Sequence, residues 1–426
     1  MASRVSGFFK DFRGFEPDAK RLIYASVLAA VGDATVWFLL TLYVRSLGYS
    51  PPEIGTLVFI MSAFQVMPML PAGYIGDRLG RRKMIALGVC IYSVGIWFFI
   101  RADILADFYI AAAIWGYGHA LYMPAFISFL SEKVEINRCK FLFSLQMFAS
   151  MIASATAVLF FGFMPDLFSD FLNVTVQNGY RFVFYIGLAF ALYQLVPFVL
   201  TQQTDLNGEC NGFREDKEKD DLPKLPKLTL MKLCIPMALF GLGAGLIVPF
   251  FQVWFQWRFD TRVEDIGILW SFTQFLWAFA YLVMPNIARK RGSVRAITTV
   301  QVAAIIALVG IPASPNFILV TIPYITRMIL MNMTWPVFQS YSLSQMPDEN
   351  RNFTISSTNF SFNGTKAVTP LIAGYLFDWS LQIPFLITAG LYIVGTVTFY
   401  IFFIKKDDRI SEKPKAGMRR GVNHKL

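Results

Sequence analysis

Three ionisable side chains stand alone inside long apolar runs of this chain: Asp33, Arg327 and Lys366. Each falls roughly 16–20 Å along its run at the 1.5 Å rise of a helix, near the centre of a ~30 Å hydrocarbon layer. A charge at that depth costs at least about 2.5–3.5 kcal/mol unless it is paired or hydrated, so none of the three is expected to face lipid. Asp33 has proton chemistry to offer. Desolvation raises a carboxylate's pKa and a nearby cation lowers it, so a change of surroundings can load or release a proton. A static ion pair with Arg327 or Lys366 would account for the same residue without chemistry. Two cations against one acid leave a surplus positive charge, which suits an anionic or amphiphilic ligand.

Other polar residues share faces with these charges. Asn352, Ser356, Asn359, Asn363 and Lys366 step by three or four, which puts them along one side of a helix. Arg327 heads a face with Met331, Thr334 and Trp335. His119 lies midway along its run, near Trp115 and Tyr122; such a histidine is more often hydrogen-bonded in the interior than a proton relay. Gln146, Ser150 and Ser154 make a milder polar face, and Gln252 and Gln256 form another pair. Trp37, Trp115, Trp254, Trp270, Trp277 and Trp335 could wall an apolar cavity or serve as packing anchors. Metal chemistry has no support: Cys90, Cys139, Cys210 and Cys234 form no CxxC pair, and the chain holds 2 histidines.

The elements that must position these residues are membrane helices. The chain is 55% apolar and 15% charged, against roughly 25% charged for a soluble domain. Hydropathy predicts twelve spans, near 22–44, 53–73, 84–101, 106–130, 141–163, 181–202, 230–256, 265–287, 294–313, 316–345, 353–376 and 381–404. Met1–Lys20 has neither an apolar core nor a cleavage site, so the first span is expected to act as an uncleaved insertion signal. Alternate assignment of the loops puts 31 Lys and Arg on the side of the N-terminus, 5 on the other and 2 within spans. That bias predicts both termini in the cytoplasm, and it accounts for the net charge of +10 without a nucleic-acid partner. The expected organisation is a cytoplasmic N-terminus (1–21), a six-helix bundle (22–203), a charged cytoplasmic linker (204–228), a second bundle (229–404) and a basic tail (405–426).

The two halves repeat. Gly55 and Gly267, Gly80 and Gly292, and Pro124 and Pro336 are each 212 residues apart, and Asn137-Arg138 recurs 213 residues on at Asn350-Arg351. Such a constant offset indicates a duplicated six-helix unit. Between spans 2 and 3 lies Gly-Tyr-Ile-Gly-Asp-Arg-Leu-Gly-Arg-Arg-Lys, residues 73–83. Its Gly73, Asp77, Arg78, Gly80, Arg81 and Arg82 resemble the signature loop of the major facilitator superfamily at every core position. The second copy differs: Arg289 stands where the acid would be.

That resemblance implies an all-α membrane protein of twelve helices in two pseudo-symmetric bundles around a central cavity. Helices 1, 4, 7 and 10 are then expected to line the cavity and helices 2, 5, 8 and 11 to flank it, which makes Trp37, His119, Gln146, Gln252, Gln256, Trp335, Asn359 and Asn363 candidate substrate contacts. Asp77 would sit at the N-terminus of helix 11, where the helix dipole favours an acid, and latch the cytoplasmic side shut. The implied function is secondary active transport by alternating access in the plasma membrane, with a monomer as the working unit. Proton-coupled efflux of a small amphiphilic or organic solute is the leading expectation. Uptake of an organic anion or metabolite is the alternative, and a non-transporting sensor is a third. No cofactor is expected beyond a proton or another coupling ion. Two features depart from proton-coupled relatives: Ala112 occupies the span-4 position where they carry Arg, and residues 146–162 lack the Gly- and Pro-rich pattern of antiporters. An enzyme would need a reactive cluster at the membrane edge, and the sequence holds none.

Overall fold

A computed structural model describes residues 16–68, 80–131, 136–201, 226–347 and 351–411. Among these residues the chain forms twelve helical rods: α1 (Pro17–Ser46), α2 (Pro51–Val66), α3 (Arg81–Arg101), α4 (Leu105–Ser131), α5 (Ile136–Leu172), α6 (Val176–Leu200), α7 (Lys227–Phe259), α8 (Val263–Arg291), α9 (Ser293–Ala313), α10 (Phe317–Ser344), α11 (Arg351–Trp379) and α12 (Ile383–Ser411). Nine of the rods are long and apolar enough to cross a membrane. Backbone polar groups cannot find water in hydrocarbon, which is why spans close their hydrogen bonds internally as helices. Local signals set the ends. Ser50 and Glu53 form a capping box at the start of α2, with the Ser50 amide and hydroxyl both donating to Glu53 Oε2 at 2.7 Å. Asn316 Oδ1 accepts from the Leu319 amide at 2.9 Å to cap α10.

The packing repeats with the sequence. In the first half α1 packs on α5 and α6, α2 on α4, α3 on α4 and α6, and α5 on α6. In the second half α7 packs on α11 and α12, α8 on α10, α9 on α10 and α12, and α11 on α12. Each of these pairs is the other's image six helices later. Gly80 and Gly292 sit at matching starts, before α3 and α9, with φ of 86° and 84°. A left-handed backbone there favours glycine in both copies. The leading rods are also broken at matching places. α1 widens into a π turn over Thr35–Leu39, and α7 tightens into a 3₁₀ turn over Val248–Phe250, where Pro249 removes a backbone donor.

The halves meet through two glycine contacts. α2 lies on α11 and α5 lies on α8. A Cβ at Gly55 would meet the Pro370 carbonyl and lie 2.9 Å from the Gly374 Cα; one at Gly374 would lie 2.6 Å from the Pro51 carbonyl. The Gly162 and Gly267 backbones meet in the same way, a Cβ on either falling 3.0–3.2 Å from the other's Cα. Small residues are what allow membrane helices to approach this closely. Nearby, Arg45 at the end of α1 donates from Nη1 to Gln256 Oε1 at 2.6 Å and from Nη2 to the Gln256 carbonyl at 3.2 Å. All of these contacts lie toward the face away from the chain termini, so the halves are drawn together on that face.

Gly55→Val and Gly374→Val therefore favour a state in which that face is parted, because overpacking of this kind costs about 1–3 kcal/mol. Spin labels in the turns at 47–50 and 380–382 should report a longer distance in either variant than in the parent. An unchanged distance distribution would show that the glycine contacts do not hold this face closed.

Candidate functional site

Asp33 lies on α1 immediately before the π turn, and its partner comes from α4. His119 Nε2 is 3.6 Å from Asp33 Oδ2, within ion-pair reach. The other ring nitrogen, Nδ1, lies 2.8 Å from Gln65 Nε2 on α2. With the Gln65 amide donating to Nδ1, the remaining imidazole N–H points from Nε2 toward the carboxylate. Trp115 stacks on the imidazole with centroids 5.0 Å apart, and the edge of Trp37 meets Trp115 at 5.7 Å. Tyr92 and Tyr122 lie within electrostatic range of Asp33. The result is an acid–imidazole pair in an aromatic setting, with side chains 22% and 10% exposed. At 3.6 Å the contact is electrostatic, between an acid and a ring that can carry the opposite charge.

The expected pairing of Asp33 with Arg327 or Lys366 does not occur among the described residues. Arg327, on α10, is only 2% exposed. Its Nη2 donates to the Tyr392 hydroxyl at 3.1 Å, Nη1 lies 2.9 Å from Met328 Sδ, and the guanidinium sits 5.3 Å from the Phe251 ring centroid. Rings from α7 and α12 thus hold this cation within the second half, by cation–π attraction rather than by a carboxylate. Lys366 on α11 is half-buried, with no acid within 4 Å among the described residues.

The other candidates divide between two settings. Along the α11 stripe Ser356 and Asn363 are exposed and Asn359 and Lys366 are half-buried, while the Asn352 side chain lies outside those described. Phe353, Phe360, Val368 and Ile372 occupy a separate, exposed apolar flank. Gln339 Nε2 on α10 donates to Asn359 Oδ1 at 3.0 Å, Asn363 Nδ2 donates to the Asn359 carbonyl at 3.0 Å, and Trp335 packs on Phe362. On α5, Gln146 donates to Ser150 at 3.1 Å, and Ser150 reaches Ser26 on α1 at 3.2 Å. Gln252 and Gln256 instead join the halves. Gln252 is 2% exposed and donates to the Trp37 carbonyl at 3.4 Å, while Gln256 holds Arg45. Among the tryptophans, Trp115 and Trp254 are fully buried packing residues, whereas Trp37 is exposed. Of the basic loop, Gly73, Asp77 and Arg78 lie outside the described residues. Arg82 donates to the Val199 carbonyl at 2.7 Å and Arg81 to the Ser128 carbonyl at 3.4 Å, which ties the start of α3 to α6 and α4.

Gln65 and Arg45 carry contacts that the sequence reading passed over. Gln65 is an isolated amide near the end of an apolar run. Arg45 is one of the few cations on the sparsely charged side, which was the available signal.

The setting of Arg327 has a measurable consequence. A buried cation without a counter-charge keeps its desolvation penalty, which an apolar side chain of similar size removes, whereas breaking a buried ion pair costs about 3–5 kcal/mol. Arg327→Met should keep thermal stability in detergent within about 1 kcal/mol of the parent, or raise it. A loss in the ion-pair range would reveal an acid partner that this geometry does not show.

Comparison with known proteins agrees with this architecture. The family model described as Major Facilitator Superfamily matches residues 22–364. Multidrug resistance protein 2 of Bacillus subtilis (strain 168) is 22% identical over 366 residues, covering 83% of this chain and 88% of that protein. The quinolone resistance protein NorA of Staphylococcus aureus (strain MRSA252) is 20% identical over 395 residues, covering 92% and 97%. Among solved structures, a bacterial homologue of the human lysosomal transporter Spinster, inward-facing and unoccupied, superposes with a TM-score of 0.74 at 14% identity, covering 92% of this chain and 99% of that one. The nucleoside transporter NupG superposes with a TM-score of 0.71 at 14% identity, covering 91% and 99%.

Proposed function

This chain belongs to the major facilitator superfamily, and we propose that it is a proton-coupled exporter of small amphiphilic or organic solutes. It is an integral, multi-pass membrane protein of a transporter family; the proton, the direction and the solute class are the proposal. The observation that carries it is the Asp33–His119 pair, held by Gln65 and roofed by Trp115 beside Trp37. The site stands four residues before the Trp37 carbonyl that receives Gln252 from the other half. A proton arriving at the pair changes the charge on a helix that also forms a contact between the halves, and that is the requirement for coupling. The names of the two relatives, which speak of multidrug and quinolone resistance, favour export of organic compounds over other cargo.

In this reading residues 22–203 and 229–404 are the two moving bundles, 204–228 is the linker between them, and the chain works as a monomer. The excess of Lys and Arg on the terminal face puts both termini in the cytoplasm. The face closed by Gly55–Gly374 and Gly162–Gly267 is then extracellular. Asp77 is the acid of the cytoplasmic latch that closes in the opposite state, while its repeat, with Arg289, supplies none. Uptake of an organic anion is the second reading, favoured by Lys366, a cation with no acid within 4 Å among the described residues.

Purified protein in liposomes with an imposed pH gradient tests the coupling, with an amphiphilic fluorescent dye as cargo. Dye should move against its gradient in exchange for protons, and Asp33→Asn should abolish gradient-driven accumulation while passive exchange of dye persists. Accumulation unaffected by Asp33→Asn would remove this residue from the coupling step.

A further inference from the structure

Lys366 is a cation in search of a counter-charge. It lies near mid-membrane on the polar stripe of α11, half-buried, with no acid within 4 Å among the described residues. The neighbouring Arg327 is within electrostatic range and adds positive potential. Arg327 cannot itself serve as the partner of a solute. Its guanidinium is packed between Phe251 and Tyr392, its Nη2 is engaged by the Tyr392 hydroxyl, and its Nε is sealed from solvent. The surroundings of Lys366 present donors as well. Asn359 spends its side-chain oxygen on Gln339, so its amide N–H groups are what it offers to the cavity. An aromatic surface stands nearby in Trp335, packed on Phe362 one turn before Lys366.

The depth of this site also matters. Gly245 packs against the Lys366 carbonyl, and Gly245 is the residue 212 positions after Asp33. A repeat axis along the membrane normal keeps matching residues level, so Asp33 and Lys366 stand at similar depth on opposite halves.

We infer that Lys366, on the polar stripe that also carries Asn359 two turns earlier, is the anchor for an anionic group of the cargo, so that the preferred solute carries a carboxylate on an aromatic or apolar body. This rests on the reading of the chain as a carrier of organic solutes, and it narrows the amphiphile to an acidic one. Lys366 supplies the counter-charge, Trp335 faces the apolar body, and the Asp33–His119 pair remains available for protons.

Equilibrium binding to the detergent-purified protein, without any pH gradient, tests the assignment. Three probes on one ring system serve: naphthalene carboxylate, its carboxamide and naphthylmethylamine. The carboxylate should bind tightest. Lys366→Gln should weaken it by about tenfold or more, the range expected for a lost charged hydrogen bond, and leave the carboxamide unchanged. Lys366→Arg should restore most of the carboxylate affinity, and Lys366→Met serves as a second neutral variant of similar length. Elution and melting matched to the parent certify each variant. Carboxylate binding no tighter than that of the carboxamide, or unaffected by loss of the lysine charge, would overturn the assignment, as would an equal loss for all three probes. Because no proton gradient enters the measurement, such a failure stands apart from a failure of proton coupling at Asp33.

Discussion

A bilayer leaves a protein no water with which to settle unpaired polar groups, and the interior of this chain is arranged by that constraint. Its charges near mid-membrane meet the constraint in three different ways. Asp33 has an imidazole at hand, which can take up or give back the compensating charge. Arg327 is held by ring faces and a phenol, neutral groups that favour a cation without neutralising it. Lys366 is half-buried on the polar stripe of α11. One half therefore holds an acid beside an imidazole, and the other holds two cations with no acid within 4 Å among the described residues. Because the halves were built from one pattern, this difference arose by substitution on a common frame: Gly245 stands at the repeat position of Asp33, and Arg327 at that of Trp115.

Much of this was legible in the sequence. The helices were, since runs of apolar residues between basic loops have few other outcomes. The repeat was too, because glycines and prolines that govern close approach or break a helix stay in register: Gly80 and Gly292 share a left-handed backbone, and Gly55 and Gly267 share the inter-half contact. The stripe on α11 could be read from its spacing, since one polar side on an otherwise apolar helix must find water or protein.

Side-chain partnership was less legible. Asp33 carries no mark saying that its companion is His119, 86 residues away on α4, and formal charge pointed instead to Arg327 and Lys366. Gln65 is one amide in an apolar run, and its importance comes only from which ring nitrogen it meets. The glutamines of α7 looked like cavity lining because polar residues in spans usually are. They turn out to be engaged across the halves, Gln252 with a carbonyl in the widened turn of α1 and Gln256 with Arg45. A π turn leaves backbone oxygens without their usual helical partners, and hydropathy does not report it.

The paired glycine contacts also bear on where this architecture came from. Gly55 touches Gly374, and Gly267 touches Gly162; subtracting the repeat length turns both into the same pair of positions, met once in each direction. That reciprocity is the mark of an isologous interface, in which one surface of a subunit recognises the same surface of an identical partner. Two separate six-helix chains facing each other across a two-fold axis would have made these contacts before any linker joined them. An even number of helices returns each unit's end to the face where it began, so one fusion across that face suffices to make the dimer a single chain. Once fused, the two copies were free to differ everywhere except where each still had to fit the other.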